Sequence, residues 1–186
     1  IPYFHKIYRF CALAMPIAVE SINLRSYDLI ISSSWAFAHG IKKNKNTKHV
    51  AYVHSPMRWA WDMENEYLSR SRIPKVAINN VKKQLSFLRK WDIKAAQNAD
   101  VIISNSKFVK NRIMQNWCRD SKVIYPPVTI TKKNPEVNKN GSYISISRLV
   151  PYKRIDKIIK AFKLLPEKKL IVAGEGPERN RLEKIS

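Results

Sequence analysis

The sequence predicts an α/β fold in which parallel strands alternate with helices, arranged as two doubly wound parts on either side of a linker. Segments of helical character separate the short β-prone runs of the first part, which begin at residues 27, 48, 100 and 122. The same alternation resumes at Tyr143, after a polar stretch that contains Pro135. This order of elements is typical of doubly wound parallel sheets.

The first two strands are predicted at residues 27–33 and 48–53. The run at 27–33 is continuously β-prone, which is typical of a strand buried on both faces of a parallel sheet. Residues 35–41 have room only for a short helix, and the lysine-rich residues 42–46 then form a solvated turn.

The longest helix is predicted at residues 74–99, where apolar side chains recur mostly at helical spacing and Pro74 suits the first turn. A third strand follows at 100–104. Ser106 is placed to cap a helix that continues to about Trp117, because its hydroxyl can accept a hydrogen bond from the first turn.

A short fourth strand is predicted at residues 122–125, and the polar, basic residues 131–141 then form an interdomain linker. We therefore expect an N-terminal domain at 1–130 and the start of a C-terminal domain at 131–186. A two-stranded parallel sheet cannot bury both of its faces alone. We therefore expect both domains to be incomplete here and the native protein to be longer at both ends.

The composition is that of a soluble globular protein, since 45% of the 186 residues are hydrophobic and 26% are charged. No apolar run approaches the ~18 residues that cross a bilayer. Cys11 and Cys118 stand apart, which favours a reducing, cytoplasmic setting. The formal net charge of +21 indicates attraction to nucleotide phosphates, anionic lipids or nucleic acid, unless the lysines simply solvate the surface.

The loop after the strand at 143–147 is the strongest candidate site. Arg148 and Lys153 lie in it and it leads into a helix, so two cations lie beside free backbone N–H groups, which suits a phosphorylated ligand. Gly174 and Gly176 occupy the loop after the next strand, where backbone can approach a ligand closely. Basic pairs are common in a chain with 35 lysines and arginines, so their place at the strand end supports the site more than their spacing.

His54 follows the strand at 48–53, at the end of the sheet where ligands bind. It is a candidate for contact with the reacting groups, with a structural hydrogen bond as the alternative. A zinc site with His49 is not expected, because residues an odd number apart face opposite sides of a strand. Glu64 and Glu66 do not make the acid and base of a glycoside hydrolase, because residues two apart do not face each other on a helix.

An aromatic and basic segment lies beyond this histidine. Arg58 and Trp59 are candidates for contact with a lipid-linked acceptor or an anionic membrane surface, since aromatic rings enter the interface while arginines meet phosphates. Packing in the core is the alternative for Trp59 and the favoured interpretation for Trp61. The segment has further apolar, aromatic and basic members: Met57, Tyr67, Leu68, Arg70 and Arg72.

Several motifs, in this order, resemble glycosyltransferase family 4. SRLVPYKRID at 147–156 and LIVAGEGPERNRLE at 170–183 are similar to the donor-binding half of that family. Four upstream motifs are similar to a subgroup, the bacterial mannosyltransferases that extend lipid-linked O-antigen or capsule repeats: YDLIISSSWAFAHG, HVAYVHSPMRWAWDMENEYL, LRKWDIKAAQNADVIISNSKFVKNRI and VIYPPV. Each motif is weak alone, but their order and spacing are specific and cover nearly the whole chain.

The resemblance implies the GT-B fold, with two Rossmann-like domains, and a retaining, metal-independent hexosyltransferase. It implies that Arg148 and Lys153 hold the diphosphate of a nucleotide sugar. Gly174 and Gly176 then belong to a second loop on the phosphate side, and His54 reaches the donor sugar and the reacting centre. No cofactor is implied beyond the donor substrate, GDP-mannose or another nucleotide sugar. The implied acceptor is a lipid-linked saccharide of surface polysaccharide synthesis, and the implied location is peripheral, on the inner, cytoplasmic face of the cell membrane.

Two alternatives stay open. The pair of glutamates with which the family contacts the donor sugar and ribose is not found up to Ser186, so the chain is alternatively an inactive, truncated glycosyltransferase fragment. The other alternative is a basic nucleic-acid-binding module, which only the net charge and the five tryptophans support. Nucleic acid is not the expected partner, because the basic residues are dispersed over several elements and no nucleic-acid motif occurs.

Overall fold

The structure is a computed structural model that describes residues 12–65, 68, 75–129 and 141–186. The chain forms two compact units, residues 1–128 and 129–186. Each unit contains a parallel sheet and the helices that connect or follow its strands. The predicted α/β class with parallel strands is therefore confirmed.

The sheet of the first unit has four parallel strands in the order β1-β2-β3-β4. They are β1 (Leu29–Ser34), β2 (Lys48–Val53), β3 (Val101–Ser104) and β4 (Lys122–Val123). Every one lies where the sequence predicts a strand, although β4 ends two residues earlier than predicted. Because all four strands run in one direction, their carboxyl ends lie at the same edge of the sheet.

The prediction that β1 is buried on both faces is wrong. Its residues alternate, so that Ile30, Ser32 and Ser34 are buried whereas Leu29 and Ile31 are exposed. β1 is an edge strand of the described sheet, and the described helices pack against the face that carries the buried set. A run of β-prone residues therefore does not distinguish a strand covered on one face from a strand covered on both.

The structure gives the bounds of three helices in the first unit: α1 (Met15–Glu20), α2 (Ile78–Gln97) and α3 (Lys107–Trp117). Single 3-10 turns at Ala38–Gly40 and Lys75–Ala77 occupy the predicted short helix and the start of the predicted long helix. Pro74 lies outside the described residues. α3 begins as predicted, because Ser106 Oγ accepts a hydrogen bond of 3.2 Å from the N–H of Val109.

The core of the first unit lies between the sheet, α2 and α3. Its buried members are Ala51, Val53, Ala96, Ala99, Ile102, Val109, Ile113 and Trp117. A second cluster, which includes Met57, Ala60 and Leu88, packs the segment after β2 against α2. This close packing fixes the end of β2, where the first candidate residue lies.

In the second unit, the described strands are β5 (Tyr143–Ile146) and β6 (Leu170–Ala173), which pair in parallel. A 3-10 turn at Pro151–Lys153 leads into α4 (Ile155–Phe162), which connects the two strands, and α5 (Arg179–Glu183) follows β6. A small core forms from four buried side chains, Leu149, Ile155, Ile159 and Leu182. The loop after β5 is thus anchored by one of its own residues.

Candidate functional site

Backbone hydrogen bonds continue past the strand ends of the first sheet. His54, directly after β2, donates its N–H to the carbonyl of Ser34 over 2.8 Å, and Asn105, after β3, donates to the carbonyl of Val53 over 3.3 Å. These bonds hold the carboxyl ends of three strands side by side. Ligands of parallel α/β sheets bind at this end, so the position predicted for His54 is at the correct edge.

The three serines that end β1 each contact a different histidine. The pairs, with the distance from Oγ to the ring nitrogen, are Ser32–His49 at 2.8 Å, Ser33–His54 at 2.8 Å and Ser34–His39 at 3.0 Å. Because side chains alternate along a strand, the first and third pairs are buried and the middle pair is exposed. Sequence spacing alone does not predict which serine contacts which histidine.

His54 is exposed and is held from two directions. Its Nε2 contacts Ser33, and its ring stands edge-on to the ring of Tyr52, with centroids 5.3 Å apart and an interplanar angle of 81°. Tyr52 is itself anchored, since its hydroxyl donates to the carbonyl of Ile124 over 3.1 Å. Among the residues that the structure describes, Nδ1 of His54 has no hydrogen-bond partner. One ring nitrogen is therefore available to a ligand, while His49 faces the opposite, buried side as the odd spacing predicts.

A buried polar network supports this edge from behind. His39 Nε2 lies 3.1 Å from one carboxylate oxygen of Asp92, and the other oxygen accepts the indole N–H groups of Trp61 at 2.8 Å and Trp117 at 2.7 Å. The ring of His39 also stacks on Trp117 with centroids 4.7 Å apart. With Ser34 on its other nitrogen, His39 links β1 to α2 and α3.

This network is not predicted above, although the sequence contains one signal for it. Asp92 follows Leu88 by four residues and precedes Ala96 by four, so it lies on the apolar face of α2. It is fully buried and is the single acidic residue of that helix. A lone carboxylate at an apolar helical position indicates a partner in the core, because a buried charge must be paired.

The segment after β2 packs inward more than expected. Met57 is fully buried, so its suggested contact with an acceptor or a membrane is wrong. Trp59 is half-buried against the second core cluster, and Trp61 packs against the core as favoured. Arg58 is exposed. The pKa of the Arg112 guanidinium is lowered, first by the burial of Arg112 and second by the nearby positive charge of Arg58.

Glu64 forms an ion pair with Arg89, whose Nε also donates to the carbonyl of Ala60 over 2.5 Å. This carboxylate is therefore committed to a contact within the first unit. Leu68 is half-buried. The other residues that the sequence analysis named in this segment, Glu66, Tyr67, Arg70 and Arg72, lie outside the described residues.

In the second unit, the loops after β5 and β6 are joined by backbone hydrogen bonds. Leu149 donates its N–H to the carbonyl of Glu175 over 2.8 Å. A Cβ atom on Gly174 would lie 1.9 Å from the carbonyl oxygen of Ser147, and one on Gly176 would lie 2.2 Å from that of Leu149. The glycines therefore let the two loops meet, and their contact with a ligand stays a prediction.

Arg148 and Lys153 are both exposed in this pair of loops. The charged side chain of neither residue forms a hydrogen bond or an ion pair with any other described residue. The ammonium group of Lys153 lies 5.9 Å from the centroid of the Tyr152 ring, a weak contact at an exposed position. Both cations are therefore accessible to an anionic ligand.

The other arginines of the described second unit are neutralised by carboxylates. Arg154 makes a bidentate contact with Asp156, in which two guanidinium nitrogens each donate to a different carboxylate oxygen over 3.0 Å. This contact lowers the pKa of the Asp156 carboxyl to about 2. Arg179 and Arg181 pair with glutamates of the glycine loop and of α5. Arg148 is thus the exception among the arginines of this unit, because no carboxylate of the described residues neutralises its charge.

The described residues contain no group of three or more histidine, cysteine, aspartate or glutamate side chains placed to bind a metal ion. In the same part of the chain, no helix has both the length and the apolar character needed to cross a membrane. Metal independence stays a prediction, and the candidate chemistry rests on His54, Arg148 and Lys153.

Sequence comparison identifies the family. The sequence model described as Glycosyltransferase Family 4 matches residues 2–132, well over half of the chain. The chain belongs to glycosyltransferase family 4. A second model, described as Glycosyl transferases group 1, matches residues 129–186, so the two matches meet near the boundary between the two compact units. No curated protein matches the chain significantly.

A solved structure with a similar fold is a crystal structure of a mutant of S. aureus TarM in complex with fondaparinux, α-GlcNAc-glycerol and UDP. The TM-score is 0.51 and the identity is 18%, and the match covers 76% of this chain and 26% of that one. The family 4 chain thus spans about a quarter of the TarM structure. At this identity the likeness concerns the fold, and it confirms the predicted GT-B architecture of Rossmann-like units.

Proposed function

We propose that this family 4 protein transfers a sugar from a nucleotide-diphosphate sugar to a saccharide acceptor, with Arg148 and Lys153 holding the donor diphosphate. One observation carries the proposal. Arg148 lies exposed in the loop between β5 and α4 without a carboxylate partner, whereas the other described arginines of the second unit are paired. Such a guanidinium can make a two-pronged, charge-assisted contact with phosphate oxygens.

The proposed chemistry follows from where charge develops. As the glycosidic bond of the donor breaks, the nucleoside diphosphate gains negative charge. Cations that bind this charge more strongly in the transition state than in the ground state accelerate transfer. Two cations at the donor diphosphate would supply this stabilisation, so we propose a metal-independent site. The UDP and sugar ligands in the TarM crystal structure support a nucleotide-sugar donor and a sugar acceptor here.

We further propose mannose as the transferred sugar, GDP-mannose as its donor, and retention of configuration. The proposed acceptor is a lipid-linked oligosaccharide of surface polysaccharide synthesis, such as an O-antigen or capsule repeat. The order of the upstream motifs supports these assignments. Arg58 and Trp59 are proposed to face the acceptor or the membrane, and the net charge of +21 supports a peripheral position on an anionic cytoplasmic membrane face.

Transfer from radiolabelled GDP-mannose to a lipid-linked acceptor by the full-length protein tests the proposal. A charge-assisted hydrogen bond is worth ~1.5–3 kcal/mol, so Arg148→Ala and Lys153→Ala should each lower kcat/KM by about 10- to 100-fold. Arg181→Ala and Lys157→Ala are matched controls, since they remove exposed cations of the same unit. We expect the controls to stay within about 2-fold of the unchanged protein.

Circular dichroism and thermal unfolding of each variant separate a lost contact from a lost fold. Near-normal transfer by both Arg148→Ala and Lys153→Ala would contradict the diphosphate assignment. Faster transfer from a UDP-sugar than from GDP-mannose would correct the donor while leaving the reaction class intact. Tight binding of duplex DNA at physiological salt, without binding of any sugar nucleotide, would instead favour the nucleic-acid alternative.

A further inference from the structure

We infer that Ser33 is a positioning residue for His54 and fixes the imidazole so that Nδ1–H donates to an oxygen atom of the sugar substrate. This inference rests on the proposed function, because it assigns a further role in the same transfer reaction. Neither the motifs nor the charge pattern of the sequence singles out Ser33. Its role follows from its position on β1 and from its contact with the ring.

The backbone register places the two residues together. Ser33 of β1 lies directly opposite Tyr52 of β2, and His54 follows two residues later on the same face of the sheet. Ser33 Oγ contacts Nε2 at 2.8 Å, while the Tyr52 ring meets the imidazole edge-on. The ring is therefore held from β1 by a hydroxyl and from β2 by an aromatic side chain that is tied to Ile124.

The hydroxyl also sets the chemistry of the free nitrogen. A neutral imidazole has one protonated and one unprotonated nitrogen, and a serine hydroxyl can accept from the first or donate to the second. In the inferred arrangement Ser33 is the donor to Nε2. When the Ser33 hydroxyl donates to Nε2, the ring proton resides on Nδ1. Nδ1–H then donates a hydrogen bond to an oxygen atom, and a nucleotide sugar offers hydroxyl and phosphate oxygens. Without the hydroxyl, the ring can turn and adopt the other tautomer.

The neighbouring pair supplies an internal control. Ser32 contacts His49 at the same 2.8 Å distance, but both side chains are buried on the opposite face of the sheet. Ser32→Ala removes the same hydroxyl from the adjacent position of the same strand, away from the proposed site. We expect Ser32→Ala to lower thermal stability, because a buried hydrogen bond is lost, and to leave kcat within about 2-fold, because that bond does not involve His54.

The kinetic test uses the full-length protein and a double-mutant cycle. Ser33→Ala should lower kcat by about 10-fold, since one hydrogen bond is lost, with KM for GDP-mannose within about 2-fold. Ser33→Thr keeps the hydroxyl at a strand position that suits a β-branched residue, so it should restore most of kcat. In a His54→Ala background, Ser33→Ala should cause no further loss, because a positioning residue acts through the side chain that it holds.

A spectroscopic test measures the tautomer of the His54 ring directly. Long-range proton–nitrogen NMR spectra of the imidazoles, assigned with His54→Ala, should show the Nδ1-protonated tautomer for His54. The spectrum of Ser33→Ala should show a mixture of tautomers, and that of Ser33→Thr should match the unchanged protein. A purely structural role for Ser33 would not move these signals.

Three kinetic results would overturn the inference: an unchanged kcat in Ser33→Ala, losses of kcat from Ser33→Ala and His54→Ala that multiply in the double variant, or a kcat loss in Ser32→Ala as large as that in Ser33→Ala. An unchanged His54 tautomer in the NMR spectrum of Ser33→Ala would also overturn it. Failure of the proposed function has a different signature, since the unchanged protein would then transfer no sugar from any nucleotide sugar. In that case the NMR comparison alone decides whether Ser33 fixes the ring.

Discussion

The two sheet edges hold their candidate groups in different ways. In the first unit, side chains hold the site: Ser33 contacts His54, and the buried carboxylate of Asp92 supports the same edge from behind. In the second unit, backbone holds the site, because Gly174 lets two loops exchange main-chain hydrogen bonds. The cation Arg148 projects from those loops without a partner in the described structure.

Because of this difference, the two edges should be sensitive to different kinds of substitution. A site held by polar side chains is sensitive to the loss of one polar partner, because the remaining polar groups are then left unpaired. A site held by backbone is sensitive to added side-chain volume. Its exposed cations are also subject to screening by salt. The following predictions test this contrast, from the largest expected effect to the smallest.

Removal of the Asp92 carboxylate should have the largest effect. Asp92→Ala leaves two indole N–H groups without their buried acceptor and removes the carboxylate that lies 3.1 Å from His39 Nε2, and breaking such a buried set costs ~3–5 kcal/mol. Urea denaturation measures the free energy of unfolding. The control Asp120→Ala removes an exposed carboxylate that pairs with Lys110, and it should change the free energy of unfolding far less, because exposed ion pairs contribute little. A loss in Asp92→Ala no larger than in this control would contradict a stabilising role for the network.

Acid should destabilise the first unit through His49. Burial, followed by the nearby positive charge of His39, lowers the pKa of His49 to about 4 from 6.5. Between these values the unfolded chain binds a proton that the folded chain does not, so stability falls as pH falls through this window. The linkage predicts a loss of about 2 kcal/mol on going from pH ~7 to pH ~5, and about 3 kcal/mol by pH ~4.

Denaturation curves measured across that pH range check this prediction. The stabilising contribution of the Asp100 carboxylate is lost only at lower pH, because Lys43 and the N–H of His49 lower its pKa to about 2. His49→Gln removes the titrating ring and should flatten the dependence between pH ~6.5 and pH ~4. An equally steep curve in His49→Gln would assign the acid sensitivity to another group.

Added volume should damage the second unit. Gly174 has φ of +149° and faces the carbonyl of Ser147, so Gly174→Ala combines backbone strain with a clash. We expect a cost of about 2 kcal/mol and weaker binding of GDP-mannose, measured by thermal unfolding and calorimetry. Gly141→Ala is the control, since Gly141 also has positive φ but open space around it, and should cost about 1 kcal/mol. Equal effects on both properties would show that loop contact is not the reason for glycine.

Loss of the side-chain cap at the start of α3 should have the smallest effect on stability. Ser106 caps α3, so Ser106→Ala should lower the free energy of unfolding by about 1 kcal/mol. Ser86→Ala, at an exposed position within α2, should be neutral or slightly stabilising because alanine favours helix interiors. α4 has no side-chain cap at its start, which is consistent with the backbone-based construction of the second unit. Equal stability of the two serine variants would contradict the cap.

Particular residues show how far the sequence could predict the fold. The strands β1 to β5 each begin within two residues of their predicted starts, and α3 begins at the predicted cap, because periodicity and caps are local properties. The burial of Met57 was not predictable, since an apolar side chain in an irregular segment can face either way. The pairing of Ser33 with His54 depends on strand register, which joins residues 21 positions apart.

The sequence by itself determined the α/β class, the order of strands and helices, and the placement of Arg148 and His54 after strand ends. These properties follow from local patterns of apolar residues, turns and caps. Only the tertiary structure decided which polar groups are already used. It paired three serines with three histidines, buried Asp92 among indole donors and left Arg148 without a carboxylate. Such assignments depend on contacts between residues far apart in the chain, which strand register and helix packing alone bring together.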